Sequence, residues 1–517
     1  MMTAPESETV QTLEALKGDT WHRLAPAAVI HFIVKFLIGF VKNGVQNVAY
    51  LGGIAIFTGD NRWLILGSLA VGATVILLAG GILSYLNFRF RMDGRSFLIR
   101  KGVFNKKRLT LSFERIQNVA VKEPLYFRPF GLVSLALESA GSADEEVSLA
   151  GIPKAMALDI RQAVLRTSRA PKTHDLDEAP EEETAETETL LIAQKVSELA
   201  RYGLSNNNIW VLAGLATGAL FQQAEQWEPQ AEEFVRNTVI PVTGDDNGVL
   251  GLMVAAGIFA LVMLLMLLSV LGAIVVNYGY RLSYAHGRYH RTKGLFEKQE
   301  TSVPETKIQS LQIGQPWPAK LLRRWHLVVR QVGFSSKNDV NTSKKERFII
   351  PSVTPEFYQP FASKLFGDIA WDDMIPSKIS RLFIWKTLKY FLFLPGILIT
   401  AATSYFWGPI GFLPLAAPLL LLPLIMLRHH QYRYWSNGKT GMVQRGFVGT
   451  RTIMFAFRKV QNVALQQSPS QRRHELATLI IQLAGQTITV PYMPYQDAAQ
   501  WRDTILFEVE TSREAWM

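Results

Sequence analysis

Cysteine is absent from all 517 residues, which excludes disulfides, thiolate metal sites and a cysteine nucleophile. Charge is scarce as well: 19% of residues are Asp, Glu, Lys or Arg, against about 25% in ordinary soluble proteins. The shortfall is uneven, because long uncharged runs alternate with stretches dense in Lys and Arg. No Walker A run, HExxH, GxSxG or GxGxxG occurs, so the spacings that cradle phosphate, hold zinc or expose a nucleophile are missing. His286 and His290 stand four apart and His429 adjoins His430, but neither pair has carboxylates at ligand spacing. The expectation is a protein that is not an enzyme, with no cofactor, no metal and no nucleic-acid partner. Residues 1–20 are acidic and polar, without the basic and apolar regions of a cleaved signal. A cytoplasmic N-terminus is expected.

What is present is a threefold repeat, the first thing to settle in any chain that has one. A Gly beside a basic residue precedes an (Ile/Val)-Gln by 15 positions, and a second Gly follows that Gln by 24. The copies are Gly102, Gln117 and Gly141; Gly294, Gln309 and Gly333; Gly446, Gln461 and Gly485. Around these markers run short alternating segments bounded by Gly, Pro and Asn, the pattern of an antiparallel sandwich or barrel. In the third copy these are Thr440–Gln444, Thr452–Phe457, Gln461–Leu465, Thr478–Leu483 and Thr487–Val490. Each copy ends in a proline followed by an amphipathic helix, from Pro153, Pro351 and Pro491. The marker glycines suit turns. The glutamine amides, which donate and accept at once, suit edge backbone groups, with a ligand contact as the alternative.

Crossing hydrocarbon takes about 20 apolar residues in a helix. Candidates are Trp63–Leu86, Val249–Val276, Thr387–Phe406 and Gly408–Leu427, with a shorter run Ile209–Phe221 and the broken run Ala27–Phe57. His31, Lys35, Lys42 and Gln46 share one face of the last, either as a helix that starts in the headgroup layer with snorkelling lysines or as a functional stripe inside a bundle. Six spans in three hairpins follow. Arg89, Arg91, Arg281, Lys386, Lys389 and Arg428 flank them on one side, and the loop Gln222–Gly248 carries six acidic residues and one basic. The positive-inside rule therefore places both termini and the repeats on the cytoplasmic side of an inner membrane.

The run RLTLSFERIQNVAVKEPLYFRPFGLVSLALESAG, echoed by ETKIQSLQIGQPWPAKLLRRWHLVVRQVG and RKVQNVALQQSPSQRRHELATLIIQLAG, resembles the bacterial pleckstrin-homology (PH) membrane proteins of the YdbS/YdbT type, in their longer, triple-repeat form. The resemblance implies membrane α-helical hairpins plus α+β cytoplasmic domains: three PH-like β-barrels or sandwiches, each closed by a C-terminal helix. The expected order is a cytoplasmic tail 1–26, hairpin 27–86, PH-like domain 87–168, acidic linker 169–203, hairpin 204–276 with external loop 222–248, PH-like domain 277–370, hairpin 371–427 and PH-like domain 428–510.

Basic residues cluster in each copy, and Arg100, Lys101, Lys107, Arg108, Arg291, Lys293, Arg445 and Arg451 are the candidate contacts to anionic lipid or to a partner. Near a membrane each Lys or Arg attracts anionic lipid by about 1 kcal/mol. Three readings follow. The leading one is a scaffold that displays three domains for protein binding or self-assembly, its partners being the bilayer, further copies or a membrane protein. A six-helix lipid or small-molecule transport or export component, in antimicrobial resistance or envelope homeostasis, is the second. Anionic-lipid sensing is the third.

Overall fold

The structure, a computed structural model, describes residues 21–38, 62–93, 96–102, 106–113, 116–139, 147–167, 188–205, 247–331, 348–367, 369–371 and 374–512. The chain divides into two compact units, 1–191 with 281–303 and 192–280 with 304–517.

In the first unit, helices α1 (Ala28–Ile38) and α2 (Arg62–Leu86) precede the first repeat. Their approach is close: a Cβ on Gly81 would lie 2.6 Å from Ile33 Cγ1. Strands β1 (Arg89–Asp93), β2 (Ser96–Lys101) and β3 (Lys107–Ser112) form one antiparallel sheet. Alternation dictates it, since Phe90, Met92, Phe97, Ile99 and Leu111 are buried while Arg89, Arg100 and Lys107 are not. Strands β4 (Ile116–Pro124), β5 (Leu132–Ser139) and β6 (Val147–Pro153) follow, and helix α3 (Lys154–Thr167) packs Ala157 and Ile160 onto the same core. Phe97 and Phe113 meet within it at 5.1 Å.

The second sheet of this unit does not stop at β4. Strands β8 (Arg281–Ala285), β9 (Arg288–Lys293) and β10 (Glu297–Pro304) belong to the second repeat, yet the order is β6-β5-β4-β10-β9-β8-β7, with β7 (Thr189–Ala193) at the far edge. The second unit repeats the arrangement. After α4 (Val196–Ser205) and α5 (Asn247–Asn277) come β11 (Ile308–Gln315), α6 (Trp317–Leu321), β12 (Trp325–Gln331), β13 (Phe348–Val353) and α7 (Pro355–Phe366). Then β14 (Ser377–Lys378) leads into a long helical stretch: α8 (Leu382–Thr387), a π-helical turn 388–393 and α9 (Leu394–Trp407). A 3₁₀ segment 408–416 and α10 (Ala417–Gln431) complete it. Strands β15 (Arg433–Ser436), β16 (Thr440–Gly446) and β17 (Thr450–Ala456) join the preceding copy, giving β13-β12-β11-β17-β16-β15-β14. Finally β18 (Val460–Gln466), α11 (Pro469–Arg473), β19 (Leu476–Leu483) and β20 (Gln486–Pro494) make a three-stranded sheet with helix α12 (Tyr495–Thr511) upon it. Ala498, Trp501 and Ile505 are its buried stripe, and the Trp501 ring meets Phe457 at 5.6 Å.

The expectation of three self-contained barrels is therefore modified. Each PH-like strand set is split between two sheets, and those sheets run from one copy into the next. The physical reason is the backbone ladder, which an unpaired edge leaves unsatisfied.

Among the described residues two helices, Ala255–Asn277 and Leu382–Phe406, are long and apolar enough to cross a membrane, and Ala28–Ile38 and Val71–Leu86 are shorter apolar helices. Residues 209–221, and all but 247–248 of the loop 222–248 expected to be external, lie outside the described residues. The block of like charge ends at Thr189, where strand β7 and then α4 begin, so the linker is shorter than the expected 169–203. Glu198 lies on α4. It accepts a forked bond from Arg324 (2.8 and 3.1 Å) and a hydroxyl from Ser352 (2.5 Å), and it pairs with Arg201. Mainly through Arg324, these donors hold its carboxyl down to about 2, from an ordinary 4.5. A depressed carboxylate stabilises the fold above its unfolded value, and this contribution disappears as pH falls from about 4.5 through about 2. Hydrogen exchange across 189–205 should accelerate in that window, and Glu198→Gln should remove the pH dependence.

Three latches recur, one ahead of each repeat. The Ala25 N–H donates to Gly151 O (3.1 Å), Gln194 Nε2 to Ser352 O (3.0 Å) and the Ser380 N–H to Tyr492 O (2.9 Å). All three acceptors are left-handed, with φ of 82°, 47° and 51°. Each latch ties the segment before an apolar helical stretch to the last strand of the PH-like copy that follows it.

The marker glutamines have a shared role that spacing did not reveal. In β4, β11 and β18 the register slips between Ile116 and Asn118, Ile308 and Ser310, and Val460 and Asn462. Gln117, Gln309 and Gln461 are thus the extra residue of a β-bulge. The expected capture of edge backbone does not hold for Gln309, which is 1% exposed and whose amide atoms meet no partner among the described residues. Gly102 and Gly294 are left-handed, at 110° and 108°, as is Gly485 in the β19–β20 turn at 81°. Gly141 and Gly333 lie outside the described residues.

Candidate anion-binding cleft

The eight basic candidates fall on three β-hairpins, one per repeat. In the first, Arg100 stands opposite Arg108 and Lys101 opposite Lys107. Arg100 also lies 4.0 Å over the Trp21 ring, with Arg91 at 5.7 Å. In the second, Lys293 ends β9 beside Gly294. Arg291 departs from the expectation of a surface contact: it is 1% exposed, with Nη2 3.4 Å from Thr301 Oγ1. Alternation on β9 puts it inside, where a headgroup cannot reach it. In the third, Arg445 stands opposite Arg451.

Lys101 with Lys107 and Arg445 with Arg451 occupy the same repeat positions. Like charges directly opposite one another on neighbouring strands are destabilising, and a bound anion would relieve that repulsion. At Arg445 and Arg451 a cleft is present. It measures ≈ 560 Å³ and its walls include Arg428, Tyr432, His326, Trp317 and Phe447, with no carboxylate among the described residues. The β16–β17 turn shapes one wall, because a Cβ on Gly446 would lie 1.9 Å from the Gly449 carbonyl oxygen, so only glycine allows so tight a return. Arg428, in the last turn of α10, reaches over Phe447 at 5.3 Å and Phe383 at 5.6 Å. Tyr432 donates to Thr489 O at 2.6 Å. Its hydroxyl is pushed up by burial, against the pull of Arg445 and Arg428. Burial, and then the Arg451 charge, push His326 down to about 4, so it is a neutral floor to the cleft at pH 7. Three guanidinium groups facing a carboxylate-free concavity can bind a phosphate or carboxylate group through forked hydrogen bonds.

Arg445 and Arg451 were evident as a basic cluster. Arg428, His326 and Tyr432 were not, because they arrive from a helix end and from two separate strand regions. Among the described residues no group of three His, Asp or Glu could hold a metal ion. The polar stripe of the first apolar run is also resolved in part. His31 Nδ1 lies 2.9 Å from Tyr126 Oη, and its ring stacks on Phe127 at 6.1 Å. It anchors α1 to the first domain. Lys42 and Gln46 lie outside the described residues.

A family model described as Bacterial PH domain matches residues 36–167 and 386–508, the first and third copies. These segments are bacterial PH domains. Both matches begin within the helical stretch ahead of the strands. The second copy carries the same markers and strand sequence. The chain is also similar to the UPF0699 transmembrane protein YdbT of Bacillus subtilis (strain 168), at 22% identity over 500 residues, covering 92% of this chain and 96% of that protein. With its apolar helices it is a membrane-associated bacterial PH domain protein of the YdbT type.

Proposed function

We propose that this bacterial PH domain protein is a non-enzymatic, multi-pass scaffold. In this reading three hairpins hold three PH-like domains at the cytoplasmic face of the inner membrane, where they bind proteins or further copies of the chain. The observation that supports it best is the continuation of each seven-stranded sheet from one repeat into the next. Sharing a sheet fixes neighbouring repeats together and presents extended strand edges, which suits association better than turnover of a small substrate. The test is capture of the tagged full-length chain from native membranes. Stoichiometric recovery of a second, differently tagged copy or of a membrane protein is expected. A chain recovered alone and monomeric overturns the reading.

Anionic-lipid sensing is a second reading, favoured by the guanidinium groups of Arg428, Arg445 and Arg451 around a cleft without carboxylates. Arg428 belongs to the apolar helix α10, so a lipid headgroup at the bilayer surface is the ligand that this position suits. Transport is less well supported, since His31 of its polar stripe is occupied by Tyr126.

A further inference from the structure

The two seven-stranded sheets are built by one junction used twice. In the first, β4 pairs antiparallel with β10 and Ala120 stands opposite Thr301. In the second, β11 pairs with β17 and Gln312 stands opposite Ile453. Counted from the marker glycines, these are the same positions. The fourth strand of one repeat meets the third strand of the next in an unchanged register. Among the described residues, three repeats form two such junctions and leave one edge of each kind: β3 and β18, each terminal in a three-stranded sheet.

We infer that β18 of one chain pairs with β3 of a second copy in the register of the internal junctions, joining chains head to tail. This rests on the scaffold reading and names its partner. The register places Val463 opposite Thr110, Ala464 opposite Leu109 and Leu465 opposite Arg108.

Three observations support it. First, the faces match. In the formed junctions a residue directed into one core lies opposite a residue directed away from the other: Val121 opposite Glu300, and Ile453 opposite Gln312. Val463 and Leu465 pack on the core of the third domain, Leu109 and Leu111 on that of the first, and the inferred register reproduces the alternation. Second, burial reports the missing neighbour. Residues Ile308 to Gly314 of β11 are all buried, whereas Gln461 to Gln466 of β18 are exposed or half-buried. Third, the charge on β3 does not bar pairing. Edge lysines often guard against association, but Arg451 occupies the repeat position of Lys107 and stands in the formed ladder opposite Gly314. Such a heterologous contact closes into a ring if its rotation allows and otherwise extends as a filament.

The absence of native cysteine makes the test direct. Two differently tagged full-length chains, one carrying Thr110→Cys and the other Val463→Cys, are co-expressed and mildly oxidised in native membranes. Directly paired strand residues lie within disulfide reach. A disulfide joining the two tags is expected, with none formed by either variant alone. Thr110→Cys with Ala464→Cys, which points to the other face, should crosslink about tenfold less. Equal crosslinking of the two pairs, or a Thr110→Cys homodimer, overturns the inferred register. So does no crosslink from variants that fold at wild-type yield. If wild-type copies of the two tags still co-purify in that case, only the β3–β18 pairing falls. If they do not, and no other protein is captured, the scaffold reading falls with it.

Discussion

Replacing Gly294 with alanine is expected to cost more than about 3 kcal/mol and to leave little folded protein. Gly294 sits between β9 and β10 with φ at 108°, where side chains carry a penalty of about 1–3 kcal/mol. A Cβ there would also lie 2.0 Å from the Glu297 carbonyl oxygen. That neighbour is backbone, so relief requires the turn itself to open. The turn aligns β10, and β10 is the strand through which the first seven-stranded sheet joins two repeats. Gly131→Ala is the control. Its φ is 61° but nothing lies within 4 Å of a new Cβ, so a loss of only about 1 kcal/mol is expected. Denaturant-dependent proteolysis of the detergent-purified full chain measures both. Equal stability of the two variants would show that the close approach at Gly294 carries no weight.

Reversing both Arg445 and Arg451 to Glu is expected to weaken binding of short-chain phosphatidylglycerol by at least about 30-fold. The figure follows from about 1 kcal/mol per basic residue lost. The same substitutions to Gln should give a smaller loss of the same sign. Native mass spectrometry of the full chain, titrated with that lipid, reads the occupancy. Folding is not expected to limit the comparison, since Arg445 and Arg451 are partly exposed and already oppose one another across β16 and β17. Binding that ignores both pairs of substitutions would end the lipid reading of the cleft and leave the scaffold reading untouched.

Much of the strand pattern was legible because burial alternates along it. Thr440–Gln444 are the first five residues of β16, and Gln461–Leu465 the centre of β18. The opening strands β1 and β8 were not, because Arg89 and Arg281 follow apolar helices and read as positive flanks of a span. The junctions were hidden for a different reason. The constant interval from Gly to Gln sets the spacing of the third and fourth strands, but periodicity within one strand says nothing of which strand lies beside it. The cleft was half legible: arginine clusters are visible in a sequence, whereas the approach of His326 and Arg428 to Arg451 depends on pairing between β11 and β17. Arg291 shows the converse limit, since an arginine reads as surface until alternation on β9 turns it inward.

The shared sheets also set a clock on biogenesis. The edge of β4 is complete at Pro124, but its neighbour β10 starts at Glu297. At roughly 5–20 residues per second, the ribosome needs about 10–30 s to deliver that neighbour. Meanwhile the nascent first domain carries two open edges, β3 and β4, on either side of its sheets. The same delay recurs between β11 and β17. Neighbouring nascent chains on one polysome therefore offer each other complementary strands before their own are made, and synthesis is the stage at which mispairing between copies is most accessible to this architecture.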